Sequence, residues 1–111
     1  MTRRDVQAAM YAQVSEKIFR QQVLTAARLH SWTVYFTWSS LNSPAGFPDL
    51  VLVRNGYLIF AELKSEDGKM TPEQLEWKRE LEVVQNMYNA SVRYFEWRPH
   101  DIDEILRVLA P

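Results

Sequence analysis

Hydrophobic residues recur at helical spacing in the first part of the chain. Residues 3 to about 30 contain no Gly or Pro, and apolar side chains return at intervals of four, at Val6, Met10, Val14 and Ile18. Side chains four residues apart lie on the same face of an α-helix. The pattern therefore predicts one long helix over this segment.

Alternation with a period of two begins directly afterwards. In residues 33–38 the apolar Val34, Phe36 and Trp38 are separated by single residues, which is typical of a half-buried β-strand. Residues 39–48 are rich in Ser, Asn, Gly and Pro, and they are predicted to form a loop.

Two further apolar runs follow this loop, DLVLV at 49–53 and YLIFAEL at 57–63. The segment between them contains Asn55-Gly56, and Asn-Gly is a strong signal for a two-residue hairpin turn. The two runs are therefore predicted to pair as antiparallel strands.

Residues 71–88 carry the signals of a second major helix. Thr71 suits the N-cap, Pro72 the first helical position and Gln74 the third, which together make a capping box. The apolar face of this helix is predicted to contain Trp77, Leu81, Val84 and Tyr88.

The chain ends with one more predicted strand and one more helix. Residues 91–97 form the strand, and residues 101–110 form a short helix with Asp101 as its cap. Its inward residues are predicted to be Ile102, Ile105, Leu106 and Leu109. A helix that joins the third strand to the fourth favours parallel pairing of those strands. The order α, β, β, β, α, β, α thus predicts an α/β fold with a mixed central sheet flanked by helices.

The composition limits the chemistry that this fold can carry. A chain of 111 residues with 47% apolar and 24% charged residues is expected to form a single domain over residues 1–111. The absence of Cys excludes thiolate metal sites, and His30 and His100 lack metal-ligand spacing, so any metal would be held by oxygen. No segment resembles a signal peptide or a membrane span, so a cytoplasmic protein without a membrane partner is expected.

The charge is unevenly distributed although its sum is only −1. Residues 1–30 carry five basic side chains against two acids, whereas residues 71–111 carry five against eight. The N-terminal excess is compatible with ordinary solvation or with a region that contacts phosphates.

The predicted hairpin brings ionisable residues together inside an apolar region. A two-residue turn at Asn55-Gly56 pairs residues whose numbers sum to 111, so Asp49 faces Glu62. Lys64 lies two residues further on and shares their face. The rest of that face is predicted to be filled by Val51, Val53, Leu58 and Phe60.

Two opposed carboxylates in a dry setting repel each other, so one has a raised pKa unless a cation lies between them. Both are hard oxygen ligands of the kind that Mg²⁺ or Mn²⁺ prefers. An adjacent ammonium can orient a water molecule and stabilise negative charge on a phosphodiester under attack. The pattern therefore favours phosphodiester hydrolysis.

A purely structural interpretation of the same residues remains open. Glu62 and Lys64 would form an ion pair at a sheet edge, with Asp49 solvated at the start of its strand. Gln74 would be only a helix cap, and Glu16 only a surface residue of the first helix.

The hairpin and the following helix are similar to a known nuclease family. GFPDLVLV at 46–53 and IFAELKSEDGKMTPEQLEW at 59–77 resemble the virus-type replication-repair nuclease (VRR-NUC) domain, a branch of the PD-(D/E)xK superfamily. Pro48-Asp49 matches the first half of the superfamily motif, and Glu62-Leu63-Lys64 matches the second. The resemblance is specific over residues 46–77, compatible over the rest, and implies the restriction-endonuclease-like αβββαβ core.

The resemblance also implies a metal site. Asp49 and Glu62 would ligate Mg²⁺ or Mn²⁺, and the main-chain carbonyl of Leu63 would be a third protein ligand. Lys64 would position the nucleophilic water.

Two further residues would join this site by the same resemblance. Gln74 would contact the water or the scissile phosphate, and Glu16 on the first helix would complete the site. The sequence departs from the family at Asn89-Ala90, where relatives often have a glycine before the fourth strand.

The implied activity is that of a metal-dependent DNA endonuclease, a hydrolase for branched DNA such as Holliday junctions. Similar small proteins are phage and archaeal resolvases that act as homodimers, so a homodimer is expected, in the host cytoplasm if the chain is phage-encoded. Fourteen aromatic residues (four Trp, five Tyr and five Phe) are difficult to bury in one small core, which also favours a homodimer. Two alternatives stay open: a catalytically silent DNA-binding module with a nuclease-like fold, and an unrelated interaction protein.

Overall fold

The computed structural model of this protein describes residues 1–37 and 44–111, which form an α/β fold with helices flanking a sheet. The helices are α1 (Arg3–Ala12), α2 (Glu16–Leu29), α3 (Pro72–Tyr88) and α4 (Ile102–Leu109). The strands are β1 (Thr33–Phe36), β2 (Leu50–Arg54), β3 (Tyr57–Leu63) and β4 (Val92–Trp97). Short 3₁₀ turns at Asn89–Ser91 and Pro99–Asp101 precede β4 and α4.

The four strands form one mixed sheet in the order β1-β2-β3-β4. The pairs β1–β2 and β2–β3 are antiparallel, whereas β3 and β4, which α3 connects, are parallel. The predicted mixed sheet is therefore confirmed. The hairpin register is also confirmed, since Arg54 pairs with Tyr57 and Val51 with Phe60.

The prediction of one long N-terminal helix is wrong. The helix is interrupted at residues 13–15, and α2 begins anew with Ser15 as its N-cap, whose hydroxyl accepts a hydrogen bond from the Ile18 amide at 3.1 Å. The apolar spacing continues across the break, so periodicity alone does not reveal it. A serine that satisfies a free amide of the next helix provides the physical reason for a new start.

The core lies between one face of the sheet and the helices α2 and α4. Leu50, Leu52 and Leu63 of the hairpin are 0% exposed. They belong to one hydrophobic cluster with residues of the two helices, namely Phe19, Val23, Ala27, Ile105 and Leu109. None of the ten described residues of α1 is buried, so this helix contributes little to the core.

The opposite face of the sheet lies towards α3. Phe47 packs edge-to-face against Phe60 of β3 and Trp77 of α3, with ring centroids 6.2 and 5.0 Å apart. None of the 17 described residues of α3 is fully buried, and Val53 at the far end of β2 stays 44% exposed. This second layer is thus thinner than the core, although it covers the end of β3 that carries the ionisable residues.

The local predictions for α3 and β1 agree with the structure. Thr71 caps α3, with both hydrogen bonds of the predicted capping box to Gln74. Val34 and Phe36 of β1 pack against the core as expected. Trp38 and residues 39–43 of the predicted loop lie outside the described residues, and Tyr88 of the expected inward face of α3 is 60% exposed.

Two details of the terminal helix differ from the prediction. Ile105 and Leu109 are buried, but Leu106 is 44% exposed because it borders a groove between α1, α2 and α4. Asp101 stands at the N-cap of α4 but makes no side-chain capping bond there. Its carboxylate accepts a hydrogen bond from the Arg98 amide at 2.9 Å and closes the preceding 3₁₀ turn.

The turn before β4 has an unusual backbone. Asn89 ends α3 with φ of 56°. Positive φ is adopted most readily by glycine, and asparagine adopts it more readily than most other residues. This explains how the chain turns there without the glycine of similar sequences. Of the helices in residues 1–37 and 44–111, none has the length and apolarity that crossing a membrane requires.

Candidate active site

The end of the hairpin brings Asp49 and Glu62 together. The β2–β3 ladder ends at the pair Leu50–Ala61, so Asp49 and Glu62 occupy the next position. Asp49 lies just outside β2, and its Oδ2 accepts a hydrogen bond from the Leu63 amide at 2.9 Å. Glu62 is only 2% exposed, and its carboxyl group is close enough to that of Asp49 for Asp49 to affect its pKa. The predicted juxtaposition of the two acids is therefore present.

Burial and proximity change the protonation of this pair. Burial is the main cause that raises the pKa of Glu62 from its ordinary 4.5 to about 9, and the hydrogen bond and charge of Asp49 raise it further. The Lys64 ammonium opposes the rise without cancelling it. At neutral pH Glu62 therefore retains its proton.

Lys64 lies two residues after Glu62, directly beyond the end of β3, and the residue as a whole is 9% exposed. Its amide donates to the Trp97 carbonyl at 3.0 Å, which continues the β3–β4 pairing beyond Leu63. Among the described residues Lys64 takes part in no ion pair. The charge of this ammonium acts on the nearby Glu62 carboxyl. A lysine beside a carboxyl group with a strongly raised pKa is a candidate functional residue.

Gln74 reaches the same site from the first turn of α3. Its Nε2 donates to Glu62 Oε1 at 3.3 Å, while its Oε1 accepts from the Thr71 amide at 2.9 Å. Gln74 therefore caps α3 with its amide oxygen and contacts Glu62 with its amide nitrogen at the same time.

The loop that carries Asp49 is held against α3 by direct backbone contact at Gly46. This residue has φ of 92°, and a Cβ at its position would lie 2.5 Å from the Glu73 carbonyl carbon and 2.8 Å from the Gln74 nitrogen. Only glycine permits such a close approach. The contact sets the distance between the Asp49 loop and the helix that carries Gln74.

Glu16, the first residue of α2, lies near the pair without joining it. Its charge acts on Glu62 and contributes to the raised pKa, and its carboxylate is 3.9 Å from Arg20 Nη2. In the described part of the chain no three His, Asp or Glu side chains are grouped closely enough to hold a metal ion together. A cation here would have Asp49 and Glu62 as its only carboxylate ligands from that part, and the Leu63 carbonyl is on the same strand end.

Sequence reasoning missed three residues around the site, all contributed by β4 and its end. Tyr94 is 7% exposed, and burial, followed by the charges of Glu62 and other nearby acids, raises the pKa of its phenol. Glu96 is paired with Lys78 of α3 at 2.9 Å and with Arg98 at 3.1 Å. Burial alone would raise the pKa of Glu96, but these two cations outweigh it and lower the pKa.

Arg98 organises the loop that follows Lys64. Its Nη1 donates to the carbonyls of Ser65, Glu66 and Gly68 at 2.7, 3.2 and 2.6 Å. Three main-chain oxygens on one guanidinium hold residues 65–68 in a tight turn directly after Lys64. These neighbours follow from the parallel register of β3 and β4, in which Glu62 pairs with Glu96. The register of a hairpin can be counted from its turn, but the register of two parallel strands joined by a helix cannot be derived from the sequence in this way.

The structural interpretation with a sheet-edge ion pair does not describe this geometry. β3 is an interior strand between β2 and β4, Glu62 and Lys64 are buried, and Asp49 is bonded to Leu63. Comparisons with protein-family models, with curated proteins and with solved structures found no match. The resemblance to VRR-NUC domains therefore rests on the motif residues and stays a prediction.

Proposed function

We propose that this protein is a divalent-metal-dependent endonuclease with a restriction-endonuclease-like αβββαβ core, acting on branched DNA such as Holliday junctions. The order α2-β1-β2-β3-α3-β4 and its mixed sheet support the choice of core. The observation that carries the proposal is the pairing of the half-buried Asp49 with the buried Glu62, next to Lys64, which has no ion-pair partner among the described residues. Placing two carboxyl groups and a lysine so close together destabilises the folded state, and such clusters are typical of active sites.

The donor set fits a hard divalent cation. Glu62 retains its proton at neutral pH, and a divalent cation held by Asp49 and Glu62 would favour loss of that proton, because carboxylate ligands bind metals in the ionised form. Asp49, Glu62 and the main-chain carbonyl of Leu63 would hold Mg²⁺ or Mn²⁺, which would supply the Lewis acidity that hydrolysis needs.

The remaining residues orient the reactants. Lys64, beside Glu62, would direct its ammonium to the attacking water and to the charge that develops on the phosphate. Gln74 donates its amide to the water or to a phosphate oxygen, since that amide is already directed at Glu62. Glu16 supplies a further carboxylate at the margin of the site.

Cleavage of labelled DNA tests this function with matched variants. Asp49→Asn keeps an acceptor for the Leu63 amide, and Lys64→Met keeps the buried aliphatic stem. We expect each to lower the cleavage rate by about 100-fold or more because each removes a charge from the reacting centre. Asp67→Asn and Lys69→Met change exposed residues of the following loop and are expected to cleave at the wild-type rate.

The assay compares duplex, flap and four-way substrates in Mg²⁺, Mn²⁺ or EDTA. Full activity of Asp49→Asn or Lys64→Met would rule out this site. DNA binding without cleavage in either metal would favour the silent DNA-binding module instead. No heat of Mn²⁺ binding and no DNA binding would leave the interaction protein as the better description.

We also propose that the protein acts as a homodimer. A groove of about 1010 Å³ between α1, α2 and α4 is lined mainly by apolar side chains, among them Met10, Ile18 and Leu106. Ile18 is 55% exposed and Leu29 is 77% exposed along the same groove. A second copy that covers this surface would bury it and would place two sites on a substrate with two strands to cut.

A further inference from the structure

A second groove lies between α2 and the end of β1. Unlike the apolar groove between α1, α2 and α4, it is lined by basic side chains. Its volume is about 490 Å³, and Lys17, Arg20 and Arg28 line it together with Phe36 and Thr37. The three cations occur at positions i, i+3 and i+11 of α2, which lie on one face of a helix. They form a row along one wall of the groove, and we call this row the basic stripe.

The charges of the basic stripe are largely free for a ligand. Arg20 makes only a long contact of 3.9 Å with Glu16, and Lys17 and Arg28 take part in no ion pair within the described residues. Residues 38–43, which follow Thr37 in the chain, include no Asp or Glu. The groove therefore carries a positive potential in a protein whose net charge is −1.

One end of this groove adjoins the candidate active site. The Thr37 amide donates to the main-chain carbonyl of Asp49 at 3.0 Å, so the groove wall and the first metal-ligand candidate are hydrogen-bonded neighbours. At the start of α2, Lys17 directly follows Glu16, whose charge acts on Glu62. A chain of phosphates in the groove can thus continue into the site.

We propose that the basic stripe binds the phosphate backbone of the DNA strand beside the scissile bond. This inference rests on the proposed nuclease function and adds the path of the substrate. Lys17 and Arg28 are separated by about 16 Å along the helix axis at 1.5 Å per residue. That length matches about five nucleotides of one strand in duplex DNA. Phosphate contacts position the strand without reading its sequence, so the stripe sets register and not base preference.

The test is the salt dependence of DNA binding by the double variant Lys17→Gln/Arg28→Gln. Arg20 is left unchanged because it contacts Glu16. Anisotropy of a labelled 20-base-pair duplex and of a four-way junction is measured in EDTA from 50 to 200 mM salt. We expect the slope of log K against log salt to fall by about 0.9 for each lost phosphate contact, and affinity at 100 mM to fall on the order of tenfold per contact.

The matched control is the variant Arg107→Gln/Arg4→Gln, which removes two exposed cations outside the groove. It is expected to keep the wild-type slope. Circular dichroism of both double variants checks that they fold.

The outcomes separate the stripe from the nuclease. A wild-type slope and affinity in Lys17→Gln/Arg28→Gln, or no DNA binding by the wild type, would overturn the stripe. If the wild type binds DNA through the basic stripe but does not cleave it in Mg²⁺ or Mn²⁺, the DNA-binding role of the basic stripe is supported and the proposed nuclease function is contradicted. If the wild type cleaves DNA and Lys17→Gln/Arg28→Gln binds and cleaves it equally well, the nuclease function is supported and the role of the basic stripe is contradicted.

Discussion

The raised pKa of Glu62 makes the stability of the folded protein depend on pH in a specific direction. The folded chain holds this proton up to a pH of about 9, whereas the unfolded chain releases it near 4.5. The contribution of Glu62 to the free energy of unfolding is therefore complete below pH 4.5 and is lost progressively as the pH rises towards 9. Between pH 5 and 8 the loss is on the order of 4 kcal/mol, at about 1.4 kcal/mol for each pH unit.

Replacement of Glu62 by Gln removes this pH dependence while it keeps the contacts. The Gln amide can donate to Asp49 as the protonated carboxyl does, and its oxygen can still accept from Gln74. We expect Glu62→Gln to resemble the wild type in stability near pH 4.5 and to be more stable than it at pH 8, by on the order of 4 kcal/mol.

Urea unfolding in EDTA, followed by tryptophan fluorescence at pH 5, 6, 7 and 8, measures this difference. Glu80→Gln removes an exposed carboxylate of α3 and is the control, with the pH profile of the wild type expected. Saturating Mn²⁺ should stabilise the wild type, by about 2.7 kcal/mol at a hundred times its dissociation constant, and should stabilise Glu62→Gln far less. Parallel pH profiles of the wild type and Glu62→Gln would refute the assigned protonation.

Two further predictions concern packing. Gly46→Ala should lower the free energy of unfolding by about 1–3 kcal/mol, because the new methyl group collides with the α3 backbone, whereas Gly56→Ala, with a similar positive φ but no atom within 4 Å, should cost less. Equal losses in urea unfolding of the two variants would contradict the close approach at Gly46. Ile18→Glu should convert the proposed homodimer to a monomer in light scattering, and a wild-type mass of 13.1 kDa would itself contradict the proposed dimer.

The hairpin is the part of the site that could be predicted from the sequence. Its turn is a contact between adjacent residues, and the positive φ of Asn55 and Gly56 (49° and 85°) is what the Asn-Gly pair favours. Once the turn is set, pairing is a matter of counting, so the opposition of Asp49 and Glu62 follows. The capping box of Thr71 and Gln74 is equally local and was equally predictable.

The misjudged features involve competition between signals or contacts distant in sequence. The break before α2 occurs where a helical apolar pattern competes with the capping strength of Ser15, and pattern alone cannot rank the two. The exposure of Leu106 depends on how α1 lies over α2 and α4, which no local pattern specifies.

The sequence by itself determined the strands, the helices other than the break before α2, the hairpin register and the meeting of two acids with a lysine, because each depends on residues near one another in the chain. Only the tertiary structure decided that Glu62 is 2% exposed while Asp49 is half-buried, that Lys64 has no ion-pair partner among the described residues, and that Tyr94 and Arg98 lie nearby. The parallel β4 arrives through a helix of 17 residues, and burial is a property of what packs on a strand from elsewhere. Solvent exclusion, which is the main cause of the raised pKa of Glu62, is therefore a result of the fold as a whole.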